Sequence, residues 1–186
     1  RKIVSGDAGS VSVTGKNLSD LLGVPRYIDS AMEREDLVGV VNGLAWTSVG
    51  GEMLEIETII LPGTGKIQIT GQLGEVMTES AQIAVSLVRS FAERYGIDPE
   101  FYKKNDIHIH APEGAVPKDG PSAGVTMTTC LVSALSGMAV DHSVAMTGEI
   151  TLHGRVLPIG GLREKSMAAY RRGIKTVFIP WDNQKD

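Results

Sequence analysis

From Leu37 onward, apolar and polar positions follow two rhythms. Leu54, Ile56, Thr58 and Ile60 alternate with Glu55 and Glu57, the two-residue period of a strand with one buried face. Lys66–Thr70 alternates again after the break at Pro62-Gly-Thr-Gly65, and Asp106–His110 reads as a short strand. Leu37–Thr47 is apolar with glycine interruptions and predicts a further strand, followed by a turn at Gly50-Gly51. The longest helix is expected over Glu75–Tyr95, where Val76, Ile83, Leu87, Phe91 and Tyr95 recur at helical spacing and Gly96 stops the run. A loop over Ala111–Gly120 leads into a helix of mostly small residues, Ser122–Ser136, closed by Gly137. Val144–Leu157 holds two short extended runs joined around His153-Gly154. Leu162–Arg172 is a helix between Gly160-Gly161 and Gly173, and Thr176–Ile179 is a last strand stopped by Pro180. Strands mixed with three helices, without strict βαβ alternation, predict an α+β fold.

Residues 1–36 have a different character. Asn17–Gly23 reads as one helical turn closed by glycine, Pro25 follows, and Asp29–Asp36 is polar and charged. This leader cannot form a core of its own and is expected to be the tail of a preceding domain plus a linker, with 37–186 as the main domain. The chain begins at Arg1 rather than Met, so it is expected to be a fragment.

Composition narrows the class. The 186 residues are 42% hydrophobic and 22% charged, enough for one good core. No stretch approaches the roughly 18 unbroken apolar residues of a membrane span. A net charge of −4 argues against a nucleic-acid surface. A single cysteine, Cys130, excludes an internal disulfide and fits a reducing compartment; in its apolar run it is expected to be a buried filler.

Two residues carry candidate chemistry. Ser122 follows Pro117-Lys-Asp-Gly-Pro121 where loop becomes helix. The first N–H groups of a helix lack internal partners and could hold a developing oxyanion. By position alone Ser122 reads first as a helix N-cap, and only a specific neighbouring base would reverse that. Lys165 has Leu162 and Ala169 as helical neighbours, so its charge borders an apolar face. Buried, it could serve as a neutral base; otherwise its stem snorkels and its head stays wet. His108 and His110 share one strand face and raise a zinc-hydrolase alternative, with two ligands too few. Gly63-Thr-Gly-Lys66 imitates a phosphate loop, but Ile60 stands where the first glycine belongs and Ile67 follows the lysine.

Pro117–Gly124, Ala145–Leu152 and Val156–Lys165, with Gly43–Thr47, Gly50–Glu52 and Gly71–Ala81, resemble ordered blocks of the Lon protease proteolytic domain. The resemblance implies a fold like the second domain of ribosomal protein S5. It implies a serine endopeptidase with Ser122 as nucleophile and Lys165 as general base. Thr147 matches a threonine that orients the lysine amine, or is simply a strand-end hydroxyl. Asp119 matches a loop acid that gates the site, or is an ordinary turn residue. Trp46, Glu57 and Pro121 match positions near a substrate groove. The family further implies unfolded protein or peptide substrates and a homohexameric ring, with no membrane partner and no nucleic-acid partner indicated. Its location would be the bacterial cytoplasm or, alternatively, the mitochondrial matrix. No cofactor is implied within this domain; ATP and Mg belong to an AAA+ module expected before Arg1, and the end of the domain is expected beyond Asp186. A non-catalytic interaction module locked shut on the same fold is the remaining alternative, against which the intact Ser122 and Lys165 argue.

Overall fold

The computed structural model describes residues 4–6, 9–23, 35–47, 50–112 and 117–186. Pro25, most of the Asp29–Asp36 linker and residues 113–116 of the loop before Ser122 lie outside the described residues. The chain divides into two compact units, Arg1–Met32 and Glu33–Asp186. The first carries the expected helical turn, α1 (Leu18–Leu22), closed by Gly23 at φ 85°.

The second unit is α+β. A six-stranded sheet holds β1 (Val40–Thr47), β2 (Gly50–Pro62), β3 (Ile67–Thr70), β4 (Asn105–His110), β5 (Val144–Met146) and, last in sequence, β8 (Thr176–Phe178), in the order β3-β4-β2-β1-β5-β8. β1–β2 and β2–β4 pair antiparallel, whereas β3–β4, β1–β5 and β5–β8 pair parallel. A separate hairpin joins β6 (Glu149–Ile150) to β7 (Val156–Leu157), so the Val144–Leu157 segment makes three short strands rather than the expected two. Among the described residues, four α-helices complete the unit: α2 (Glu75–Phe91), α3 (Phe101–Lys104), α4 (Gly124–Ser136) and α5 (Leu162–Arg171).

Strand alternation decides which helix covers which face. Val41, Leu54, Ile56, Ile107, Ile109 and Met146 point to one side, where they meet α2 and α4 in the main core. Leu44 and Ala145, of opposite parity, point to the other side and pack with Ala169 of α5. The helix that follows Ser122 and the helix that carries Lys165 therefore lie on opposite faces of the sheet.

Two expectations are corrected. Gly50-Gly51 is not a turn: both residues open β2, opposite Thr47 and Trp46. A glycine pair signals a turn by its conformational freedom, but here Gly51 is needed for want of a side chain, because a Cβ would fall 2.0 Å from the Glu164 carbonyl oxygen. The α2 core face is also rotated from the expected row. Met77, Ala81, Ala84, Val85 and Val88 are buried together with the expected Leu87, whereas Val76 is exposed; Tyr95, also exposed, lies past the end of α2 in the 3-10 turn Ala92–Tyr95. Apolar residues occur around most of this helix, so periodicity alone could not choose the face; the small Ala81 and Ala84 are fully buried in the core that α2 shares with α4.

The loop resembling a phosphate cradle has an internal occupant. Asp106 Oδ1 accepts hydrogen bonds from the N–H groups of Thr64 (2.8 Å), Gly65 (3.1 Å) and Lys66 (2.8 Å), which hold its carboxyl below the usual carboxylate range. A nucleotide phosphate does not fit this loop, because its donors are already used. Among the described residues, no helix is long and apolar enough to cross a membrane.

Candidate active site

Ser122 sits in a single 3-10 turn, Pro121–Ala123, that leads directly into α4. Pro121 opens this turn and lacks the N–H that a first helical position leaves unused. Gly120 before it has φ 131°, a backbone conformation reserved for glycine. The start of α4 presses so closely on β6 that a Cβ on Gly124 would meet Ile150 N at 2.9 Å. The Ser122 carbonyl is fixed from the other side by the Gly148 N–H at 2.8 Å.

Lys165 is in the middle of the buried face of α5, with Leu162, Ala168 and Ala169. Only 2% of its surface is exposed. Burial, the sole cause resolved, lowers its ammonium pKa from 10.5 to about 8. The snorkelling alternative is therefore not what the fold adopts. The amine instead donates to Thr147 Oγ1 at 3.1 Å.

Thr147 lies one residue past the end of β5, between the two faces of the sheet, and is 1% exposed. Its hydroxyl accepts from Lys165 and donates to the Ser122 carbonyl at 3.3 Å. Its own N–H donates to Phe178 O at 3.1 Å, tying it to β8. Two hydrogen bonds thus connect the lysine amine to the backbone of the serine, although their helices approach from opposite sides.

Both side chains open onto one cavity of about 500 Å³. Its wall includes Trp46, Asp119, Pro121, Ser122 and Lys165, with an apolar lining from Leu44, Met53, Leu54, Met77 and Ile159. Among the sequence-derived candidates, Trp46, Pro121, Asp119, Ser122 and Lys165 come together here, and Thr147 stands behind them. Glu57 does not join them; it lies along β2 opposite Val40 and His110. Asp119 is exposed and caps α2: its Oδ1 accepts the Met77 N–H at 3.0 Å and the Gly120 N–H at 2.9 Å. The absence of a side chain at Gly74 makes room for it.

His108 and His110 both reach Thr70 Oγ1, at 2.9 and 2.7 Å. Among the described residues they gain no third ligand. Cys130 is buried beside the carbonyls of Gly39 and Ile56, and burial pushes its thiol up to about 12, consistent with a filler.

Sequence reasoning missed Asn183. It is 3% exposed and grips the backbone of Ile159 in the cavity wall from both sides, accepting its N–H and donating to its carbonyl, each at 2.9 Å. A lone asparagine near a chain end gives no pattern by which to find it.

Comparison with known proteins places the chain among Lon proteases. The chain is 61% identical over 184 residues to a Lon protease of Brevibacillus choshinensis, covering 99% of this chain and 24% of that protein. It is 58% identical to Lon protease 1 of Bacillus subtilis strain 168, covering 100% and 24%. With the Lon protease of Escherichia coli strain K12 the identity is 59%, covering 95% and 22%. The chain therefore spans about a quarter of the length of these relatives. Residues 12–186 match the Lon protease (S16) C-terminal proteolytic domain, and with such identity along nearly its whole length the chain belongs to that family.

Proposed function

We propose that this chain is a serine peptidase that cuts peptide bonds with Ser122 as nucleophile and Lys165 as general base. The observation that carries the reading is the dry Lys165 amine, held by Thr147 at the wall of the cavity onto which Ser122 opens. With its pKa lowered to about 8, a substantial fraction of the amine is neutral near physiological pH and can accept a proton.

In the proposed mechanism the neutral Lys165 amine takes the proton of the Ser122 hydroxyl as Oγ attacks the substrate carbonyl carbon. The carbonyl oxygen becomes an oxyanion, stabilised by backbone N–H groups around Ser122. The Lys165 ammonium then gives its proton to the leaving amine as the peptide C–N bond breaks. Water, deprotonated by the same amine, hydrolyses the resulting ester and restores the serine. Thr147 directs the amine and keeps it from rotating away. The apolar wall and Trp46 suit an extended, unfolded peptide, and no role is proposed for Glu57.

Within a longer protease, the reading extends to protein substrates unfolded by an ATP-driven AAA+ module and delivered into a homohexameric ring. ATP and Mg would be held by that module. No catalytic step here passes through them.

A peptide boronate tests the nucleophile. Its adduct, located by mass, is expected on the peptide containing Ser122, and Ser122→Ala is expected to abolish both adduct and cleavage while the domain stays folded. Wild-type turnover in Ser122→Ala would remove the assignment.

A further inference from the structure

Two residues that face each other across the β1–β2 hairpin each grip the first turn of α5. Trp46 and Gly51 are paired in the ladder. Trp46 packs against Gly161, immediately before α5, where an added Cβ would fall 2.7 Å from the indole Cγ. On Gly51, an added Cβ would fall 2.0 Å from Glu164 O and 2.9 Å from Lys165 N. The Glu164–Lys165 peptide therefore rests directly on the Gly51 backbone, leaving no room for a side chain. The same turn is closed by the Lys165 N–H bond to Gly161 O at 3.0 Å.

We propose that Trp46 and Gly51 form a clamp that positions Lys165, acting through the first turn of α5. The proposal rests on the general-base reading above and names the residues that keep that base in place. Any side chain at position 51 must push the 164–165 peptide off β2. That movement lengthens the Lys165–Thr147 contact and lets water reach the amine. Trp46 is 60% exposed and also lines the cavity. A bound peptide thus lies against the side chain that holds Gly161, so substrate contact and lysine placement share one indole.

The ionisable groups facing Lys165 across the cavity are Glu52 from β2 and Lys118 and Asp119 from the loop before Ser122. β1 contributes Leu44, Ala45, Trp46 and Thr47 to this wall, none of them ionisable, and β5 leads into Thr147. On α5 itself Arg163 and Glu164 flank the lysine. None of these groups changes in the variants that follow.

The test compares Gly51→Ala, Trp46→Ala and Trp46→Phe with the unaltered chain, using two readouts. One is an NMR titration of the Lys165 amine with labelled lysine; the other is peptide cleavage as a function of pH. Both alanine variants are expected to raise the lysine midpoint by about one unit or more, because a wetter ammonium holds its proton more tightly. Cleavage should then fall about tenfold at neutral pH and recover in alkali. Trp46→Phe, which keeps an aromatic plane against Gly161, should leave the lysine midpoint near that of the unaltered protein, whatever it does to peptide affinity. An unmoved midpoint in folded alanine variants, or a loss of cleavage equal at every pH, would overturn the clamp. Should Gly51→Ala fail to fold, the two Trp46 variants decide by the same readouts. If Lys165→Arg cleaves normally while Gly51→Ala still shifts the titration, the clamp stands and the base assignment falls.

Discussion

Lys165 is the residue on which charge, burial and chemistry meet. A lysine held at the surface would keep its proton far above neutrality; this one is drawn into the wall between α5 and the end of β5. Replacing it by arginine keeps the charge but removes any accessible neutral form. Lys165→Arg is therefore expected to lose peptide cleavage by at least about a hundredfold, the lower end of what a general base supplies. A steady-state peptidase assay checks this, and robust turnover would point to another base. Burial also carries a stability cost. The folded pKa of about 8 lies below the free value of 10.5, so the folded ammonium is penalised at all pH values below about 8. The penalty, about 3 kcal/mol, is relieved as pH rises from about 8 to 10.5, where the unfolded chain still binds the proton and the folded one does not. Lys165→Met should accordingly be more stable than the parent at pH 7, with the advantage shrinking through that window. Urea unfolding at a series of pH values measures the difference, and a constant offset would contradict it.

Single elements were legible in the sequence where their signal was local. The alternation of β2, the glycine stops of α4 and α5, and the loop-to-helix step at Ser122 all follow from period and turn chemistry. The exceptions depended on contacts between distant segments. Gly51 could not be recognised as a landing site for α5 from its neighbours in sequence, and α2 has too many apolar positions to reveal which row faces α4. The Ser122–Lys165 relation was likewise invisible to spacing and came only through family resemblance, because two helices on opposite sides of a sheet have no shared period. Asp119 illustrates an element-scale role. As acceptor for the Met77 N–H it fastens the loop before Ser122 to the start of α2, where the helix dipole also favours its charge. Asp119→Ala should cost about 1 kcal/mol, and Asp119→Asn, which keeps a good cap, much less. Thermal melts compare the two, and equal loss would speak against capping.

At the scale of the molecule, the site is assembled where the layers end rather than within any one of them. The 3-10 turn that opens into α4 brings the hydroxyl from the main core side, α5 brings the amine from the other, and Thr147 joins them at the rim of a strand that has β1 on one flank and β8 on the other. The cavity wall is completed by a hairpin from the first part of the unit and by Ile159, held by Asn183 from the last. No contiguous stretch of sequence contains the whole arrangement.

That dispersal would make the proposed hydrolysis conditional on complete folding. Until the short β5 slides between its two parallel neighbours, the threonine has nowhere to stand, the amine stays hydrated and protonated, and the hydroxyl is an ordinary alcohol. Under the proposed mechanism, a chain still leaving the ribosome would thus be harmless to itself and to its surroundings, with any cutting power withheld until these distant segments meet.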